Sequence, residues 1–341
     1  MFKLWFSIIF LISYMSQAQD ANYSYTSINK EKLDQSLAAL ENFYINNPVR
    51  LGISVTHIEK NLTYSYRGNE KFKMASTVKL PIAIYALSLV EATKLNLNEV
   101  VEVKQDQLIP YSNINNYANW PKMDVTFLNL MDSMIATSDN TATDIILNKI
   151  GGIAAVKQYF TTQYNGISID RNMTQLFLDY MGYDKVPDNS NLLKIKEEFY
   201  AVRPSADKDN FARKLAKDEK DTTTPEAMNK IITDFYNKKF FGDKTVKFLL
   251  HLMSKAKGNM LPGFLTKDQA QIFNKPGMFS HEGKEYYFTI SSDVGIITLP
   301  NGNHLSIAIY ADTEERIGKD EMRSLIALAS KTLYDYFYFT F

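Results

Sequence analysis

Two stretches with strand-like alternation stand at opposite ends of the chain, and their separation constrains the fold more than any other feature. "RLGISVTHIEKNLTYSYRG" (50–68) alternates apolar and polar residues around a short polar turn and predicts a β-hairpin. "YYFTISSDVGIITLPNGNHLSIAIYAD" (286–312) predicts strand, strand, an Asn-Gly turn and strand. From about 72 to 270 the pattern is mostly helical. Strands need partners, so the two ends must pair across the whole length of the chain. The expected class is α+β: an antiparallel sheet built from both chain ends, with an all-helical lobe inserted between them. "KEKLDQSLAALENFYINN" (30–47) and "EMRSLIALASKTLYDYF" (321–337) carry apolar residues at helical spacing, and predict terminal helices covering that sheet. The expected boundaries are a sheet lobe over 19–71 and 270–341 and a helical lobe over 72–269. Within the latter, the charge-rich segment from about 179 to 220 reads as an excursion holding one or two short helices.

Lys plus Arg and Asp plus Glu are equal at 38 each, which argues against a nucleic-acid partner or a polybasic membrane contact. With zero net charge, any anion must be recognised by a local site. There is no cysteine, which excludes disulfides, thiolate nucleophiles and Cys-ligated zinc. His57, His251, His281 and His304 form no metal-binding spacing, so neither a metal nor another cofactor is expected. At the N-terminus, Lys3, the apolar run "LWFSIIFLISYM" and the small residues of "SQA" (16–18) predict an export signal over 1–18. The run is short for a membrane span. A periplasmic or secreted mature protein is expected, with no stable membrane anchor.

Candidate chemistry centres on "MASTVKLP" (74–81), where Ser76 opens an apolar helix and Lys79 follows three positions later. The spacing alone is weak, since Ser27/Lys30, Ser205/Lys208 and Ser254/Lys257 share it. Ser76 alone of the four opens an apolar helix, whose first turn would place Lys79 on the same face and whose N-terminal N–H groups could hold an oxyanion. A lysine serves as a base only when burial and a second cation lower its pKa. "ATSDNTATDIIL" (136–147) offers Ser138 and Asn140, and "FNKPGMF" (273–279) offers Lys275.

These residues, with "PYS" (110–112), "GG" (151–152), "DTTTPEAM" (221–228) and "GII" (295–297) in the same order, resemble class A β-lactamases and related penicillin-binding serine hydrolases. The likeness covers nearly the whole mature chain. It implies Ser76 as the acylated nucleophile, Lys79 as its proton acceptor, and Ser138 as proton relay to the leaving nitrogen. It further implies Asn140 as a substrate-amide contact, Asp139 as structural, and Lys275 as the cation beside Ser138 and the substrate carboxylate. Gly277 and Met278 would lie along the substrate strand, with the backbone N–H groups of Ser76 and Met278 as the oxyanion hole. Tyr111 would wall the cleft, and Arg171 and Asp221 would clamp the loop between them.

The chain also departs from that pattern. The family's water-activating glutamate, two positions after Asp170-Arg171, is Met173, and the asparagine that helps hold the water is Phe177. Pro276 replaces a hydroxyl residue in the third motif, and Val294 replaces an arginine. Residues 172–220 separate the clamp's ends, far more than the family uses; a loop about three times as long adds only about 1 kcal/mol of closure entropy. Asp179, Asp184, Glu197 and Glu198 are candidates for a replacement acid, set against a merely solvated excursion. Lys284 or His281 would be candidates for the lost anion contact, set against ordinary hairpin charges. The expected function is therefore a serine hydrolase that acylates at Ser76 and deacylates β-lactams poorly. The alternatives are a β-lactamase with a base from the insertion, a D-Ala-D-Ala peptidase or esterase of the same fold, or a non-catalytic sensor. The expected partner is a small β-lactam or a peptidoglycan-like peptide.

Overall fold

The computed structural model of the protein describes residues 25–42, 49–117, 122–188, 190–258, 260–266 and 268–341. The expected export signal and the end of the first expected helix lie outside them. Among the described residues no helix is long and apolar enough to cross a membrane.

The two chain ends do pair. β1 (Arg50–His57) and β2 (Leu62–Tyr66) form the hairpin, and β1 also pairs with β9 (His304–Thr313), with Ile53 opposite both Tyr66 and Ile309. β8 (Tyr287–Thr298) and β7 (Gln271–Glu282) complete an antiparallel five-stranded sheet of order β2-β1-β9-β8-β7. The stretch expected to hold two strands before the Asn-Gly turn is the single strand β8. Alternation on β9 fixes which face meets what: Leu305, Ile307 and Ile309 face one core, and Ala308 and Tyr310 the other. The first core is closed by the terminal helices α1 (Tyr25–Glu41) and α11 (Lys319–Thr340), through Leu33, Leu37, Leu325, Leu333 and Phe337. The second is closed by the helical lobe.

That lobe begins with a two-residue strand, β3 (Phe72–Lys73), a single 3-10 turn (Ala75–Val78) and α2 (Lys79–Glu91). β4 (Val100–Lys104) pairs with β5 (Lys122–Thr126), and β3 with β6 (Thr222–Thr223), so two small ribbons lie within the lobe expected to be all helix. Side-chain caps set its helix starts. α3 (Phe127–Ala136) is capped by Thr126, α4 (Asn140–Lys149) by Asp139 and α6 (Met173–Met181) by Asn172. α5 (Gly152–Thr161) and α10 (Asp243–Ser254) complete the scaffold, and α9 (Pro225–Tyr236) starts with Thr224 as cap and Pro225 in its first turn. The charged excursion is a folded part of this lobe. α7 (Leu192–Val202) and α8 (Ser205–Lys217) bury Leu192, Ile195, Phe199, Ala212 and Leu215 in its core.

Candidate active site

Ser76 lies in the 3-10 turn rather than in the α-helix it precedes. In such a turn side chains three apart eclipse one another. Lys79 Nζ accordingly lies 3.3 Å from Ser76 Oγ. The same nitrogen is 2.6 Å from the Ser138 carbonyl oxygen, 2.7 Å from Asn140 Oδ1 and 3.2 Å from Ser138 Oγ. A neutral amine has two hydrogens and one lone pair. The two shortest contacts take the hydrogens, which leaves the lone pair for one hydroxyl at a time, that of Ser76 or that of Ser138. Lys79 is fully buried; burial first, and the charge of Lys275 second, hold its ammonium well below the usual lysine range. Lys275 is also fully buried on β7 and donates to the Pro276 carbonyl at 2.9 Å. Burial pushes its pKa down to about 7, against the opposing pull of Asp293.

Backbone geometry brings these groups together. Ala75, Tyr111 and Ser138 all have positive φ, at 47°, 60° and 60°, a conformation non-glycine residues hold only when the surroundings enforce it. A Cβ on Gly277 would lie 3.0 Å from the Ser76 nitrogen, 2.9 Å from the Met74 carbonyl oxygen and 2.6 Å from Ser292 Oγ, so only glycine lets β7 press against the Ser76 turn. Asp139, expected to be structural, caps α4 at the Ala142 N–H and also accepts from the Ile114 N–H. Asn140 donates to the Pro110 carbonyl at 2.8 Å, which fixes the amide that faces Lys79.

Ser76, Ser138, Asn140, Tyr111 and Met278 line one cavity of about 450 Å³. A model of the beta-lactamase enzyme family matches residues 32–337. The chain belongs to this family. Relatives include the β-lactamase VEB-1 of Pseudomonas aeruginosa, 24% identical over 89% of this chain and 91% of that protein. A β-lactamase of Bacteroides uniformis is 22% identical over 91% of this chain and 94% of its own. Among solved structures, a β-lactamase from Chitinophaga pinensis has a TM-score of 0.70 at 22% identity, covering 91% of this chain and 99% of its own. An ancestral class A β-lactamase has a TM-score of 0.68 at 23% identity, covering 88% and 98%. The fold expected from the sequence is thus the one observed.

The cleft is marked by what it lacks. Among the described residues, no Asp, Glu or His lines it. Met173, Leu176, Phe177, Tyr180 and Met181, one face of α6, form its wall with Phe279. The candidate replacement acids are elsewhere. Asp179 binds Arg171 at 3.0 Å and accepts from Gln175 at 2.6 Å, so it belongs to the clamp. Asp184, Glu197 and Glu198 are exposed and do not line the cleft. Arg171 also binds Asp221 at 2.5 Å, as expected, and Asp218 at 2.9 Å. His281 is no anion contact: its ring nitrogens meet Asp209 at 2.7 Å and the Tyr180 hydroxyl at 3.0 Å. Lys284 borders the adjoining cavity, while Lys319 and Arg323 of α11 reach the cleft itself.

Sequence reasoning missed two buried carboxylates. Asp144, four residues after Asn140 and therefore on the same face of α4, accepts from the Met173 and Thr174 N–H groups at 2.7 and 2.9 Å. Burial raises its pKa against those bonds, and its charge is felt at Lys79. Asp293 accepts from the N–H groups of Met260 and Leu261 and from the Asn274 amide, and burial pushes it up to about 6. An acidic residue in the apolar run "SSDVGII" was the available signal. Pro276, opposite Asp293, is tolerated because β7 is an edge strand.

Proposed function

We propose that the chain is an active-site serine hydrolase that is acylated at Ser76 and releases β-lactam acyl groups slowly. Lys79, neutral, takes the Ser76 proton as Oγ attacks the carbonyl carbon. The N–H groups of Ser76 and Met278 receive the oxyanion. Ser138, hydrogen-bonded to Lys79, passes a proton to the departing nitrogen, and Lys275 supplies the positive charge facing a substrate carboxylate. Asn140 and Tyr111 hold the acyl half. No metal or other cofactor takes part in this scheme, and the mature protein works after export.

The observation that carries the slow release is the wall opposite Ser76. Met173 is buried there, and the carboxylate behind it, Asp144, spends both oxygens on the backbone N–H groups of Met173 and Thr174. A water entering this cleft meets no carboxylate or imidazole base on its walls, and loss of a general base costs about 10²–10⁴-fold. Intact-mass spectrometry after mixing with benzylpenicillin tests the reading. The expected result is an adduct persisting through many minutes and absent in Ser76→Ala. Rapid consumption of penicillin without a lasting adduct would establish an efficient β-lactamase instead.

Pro276 favours a second reading, a peptidase or esterase of the same fold. Proline offers neither a hydroxyl nor an N–H to a carboxylate at that position, while Lys319 and Arg323 bring cations to another part of the cleft. Release of D-alanine from a D-Ala-D-Ala peptide, lost in Ser76→Ala, is its signature.

A further inference from the structure

The cleft wall that lacks a base has a positive character of its own. α6 turns the residues spaced as one helical face, Met173, Leu176, Phe177, Tyr180 and Met181, into the cavity beside Ser76. Tyr180 adds its ring rather than its hydroxyl, because that hydroxyl is tied to His281 at 3.0 Å and the ring lies edge-on to Phe279 at 5.2 Å. At the mouth, Tyr111 stacks on Phe177 at 6.0 Å, and Lys196 of α7 sits 4.1 Å over the Tyr111 ring. Tyr111 and Tyr200 are 66% and 48% exposed, so part of this aromatic surface faces solvent. The inserted helices hold it in place: Tyr180 packs on Phe199 at 5.5 Å, and the Asp209–His281 contact joins α8 to β7. An apolar surface beside a nucleophile recovers its hydration cost only when a ligand covers it.

We infer that the cleft selects substrates whose transferred acyl group is large and apolar or aromatic, seated on the α6 face with Phe177, Tyr180 and Met181 as the specificity-determining residues. This deepens the serine-hydrolase reading and rests on it. The leaving group must reach Ser138, at the start of α4. The half that stays bonded to Ser76 Oγ then lies against Met173 and the rest of the α6 wall. Lys196, Lys319 and Arg323 stay at the polar margin, where a remote anionic group of the same substrate meets them.

The test uses p-nitrophenyl esters, which vary the acyl group over a constant leaving group. In each, the bond from Ser76 Oγ to the acyl carbon forms, the ester C–O bond breaks, p-nitrophenolate departs and the serine proton passes through Lys79 to solvent. The Ser76-dependent burst should speed by about two- to fourfold per added methylene from acetyl to hexanoyl. A phenylacetyl ester should match the longer chains, and a succinyl monoester should react at least about tenfold slower than the butyryl ester, because water solvates its carboxylate better than the apolar α6 wall does. Phe177→Ala and Met181→Ala should flatten the series; the wild-type series decides the matter even if either variant misfolds. A Ser76-dependent burst with a flat, falling or anion-preferring series overturns the inference and leaves the serine-hydrolase reading intact. No Ser76-dependent burst with any ester, and no penicillin adduct, overturns both.

Discussion

In the proposed acylation Lys79 is the residue on which the chemistry turns, and its charge is set by its surroundings. Burial and the charge of Lys275 favour the neutral amine, and the hydrogen bonds to Ser138 and Asn140 aim its lone pair at the hydroxyls. Lys79→Ala should slow acylation by about 10²–10⁴-fold with the fold unchanged, read by the rate of penicillin adduct formation. The pH dependence follows from the signs. Lys79 acts once deprotonated, so acylation rises with pH through its depressed pKa. Lys275 loses its charge as pH passes about 7, and with it the attraction for a substrate carboxylate. Acylation by benzylpenicillin should therefore fall as pH rises past about 7, whereas the uncharged p-nitrophenyl butyrate should show no alkaline fall. Identical profiles for the two would refute this role of Lys275. Gly277→Ala should push β7 away from the Ser76 turn and slow acylation by about 10²-fold, the scale of one lost oxyanion donor, while circular dichroism stays native.

At the scale of elements, the described residues of the long loop between Arg171 and Asp221 form three helices because each has an apolar face and two have a side-chain cap. Asn172 and Asn191 cap α6 and α7, and α8 buries Ala212 and Leu215. What anchors the group is the Arg171 guanidinium, almost inaccessible, shared by Asp179, Asp218 and Asp221. Asp218 also pairs with Lys73, which ties the clamp to β3. Arg171→Ala would remove the cation that the three carboxylates share, leaving Lys73 beside Asp218 and Lys220 beside Asp179. A loss of about 3 kcal/mol is expected, measured by urea denaturation, because removing one partner of a buried pair strands the others. The Arg171–Asp221 pair was legible from the family pattern. Asp218 and Asp179 were not, since nothing in a charge-rich stretch distinguishes a clamp residue from a solvated one.

The whole molecule is built around a sheet with a core on each side. Leu37 belongs to the terminal-helix core and Leu147 to the helical-lobe core, and both are fully or almost fully buried. Since β9 and β8 carry side chains into both cores, neither can melt and leave the other intact. Leu37→Ala and Leu147→Ala should each cost about 2–5 kcal/mol. Each should lower the same single calorimetric transition; two separable transitions would show that the lobes unfold independently.

The sequence by itself determined the sheet from both ends and the terminal helices, and it pointed to Ser76, Lys79, Ser138, Asn140 and Lys275 as a candidate set. Alternation, helical spacing and short motifs are local properties, and local order along the chain is enough to read them. It also put Met173 where the family resemblance implies a glutamate. Only the tertiary structure decided what stands there instead. The depressed pKa values of Lys79 and Lys275, the use of Asp144 as a backbone anchor, the capture of His281 by Asp209 and Tyr180, and the apolar wall of α6 each depend on groups far apart in sequence. Burial and electrostatic energy are sums over spatial neighbours, and those neighbours exist only once the chain has folded.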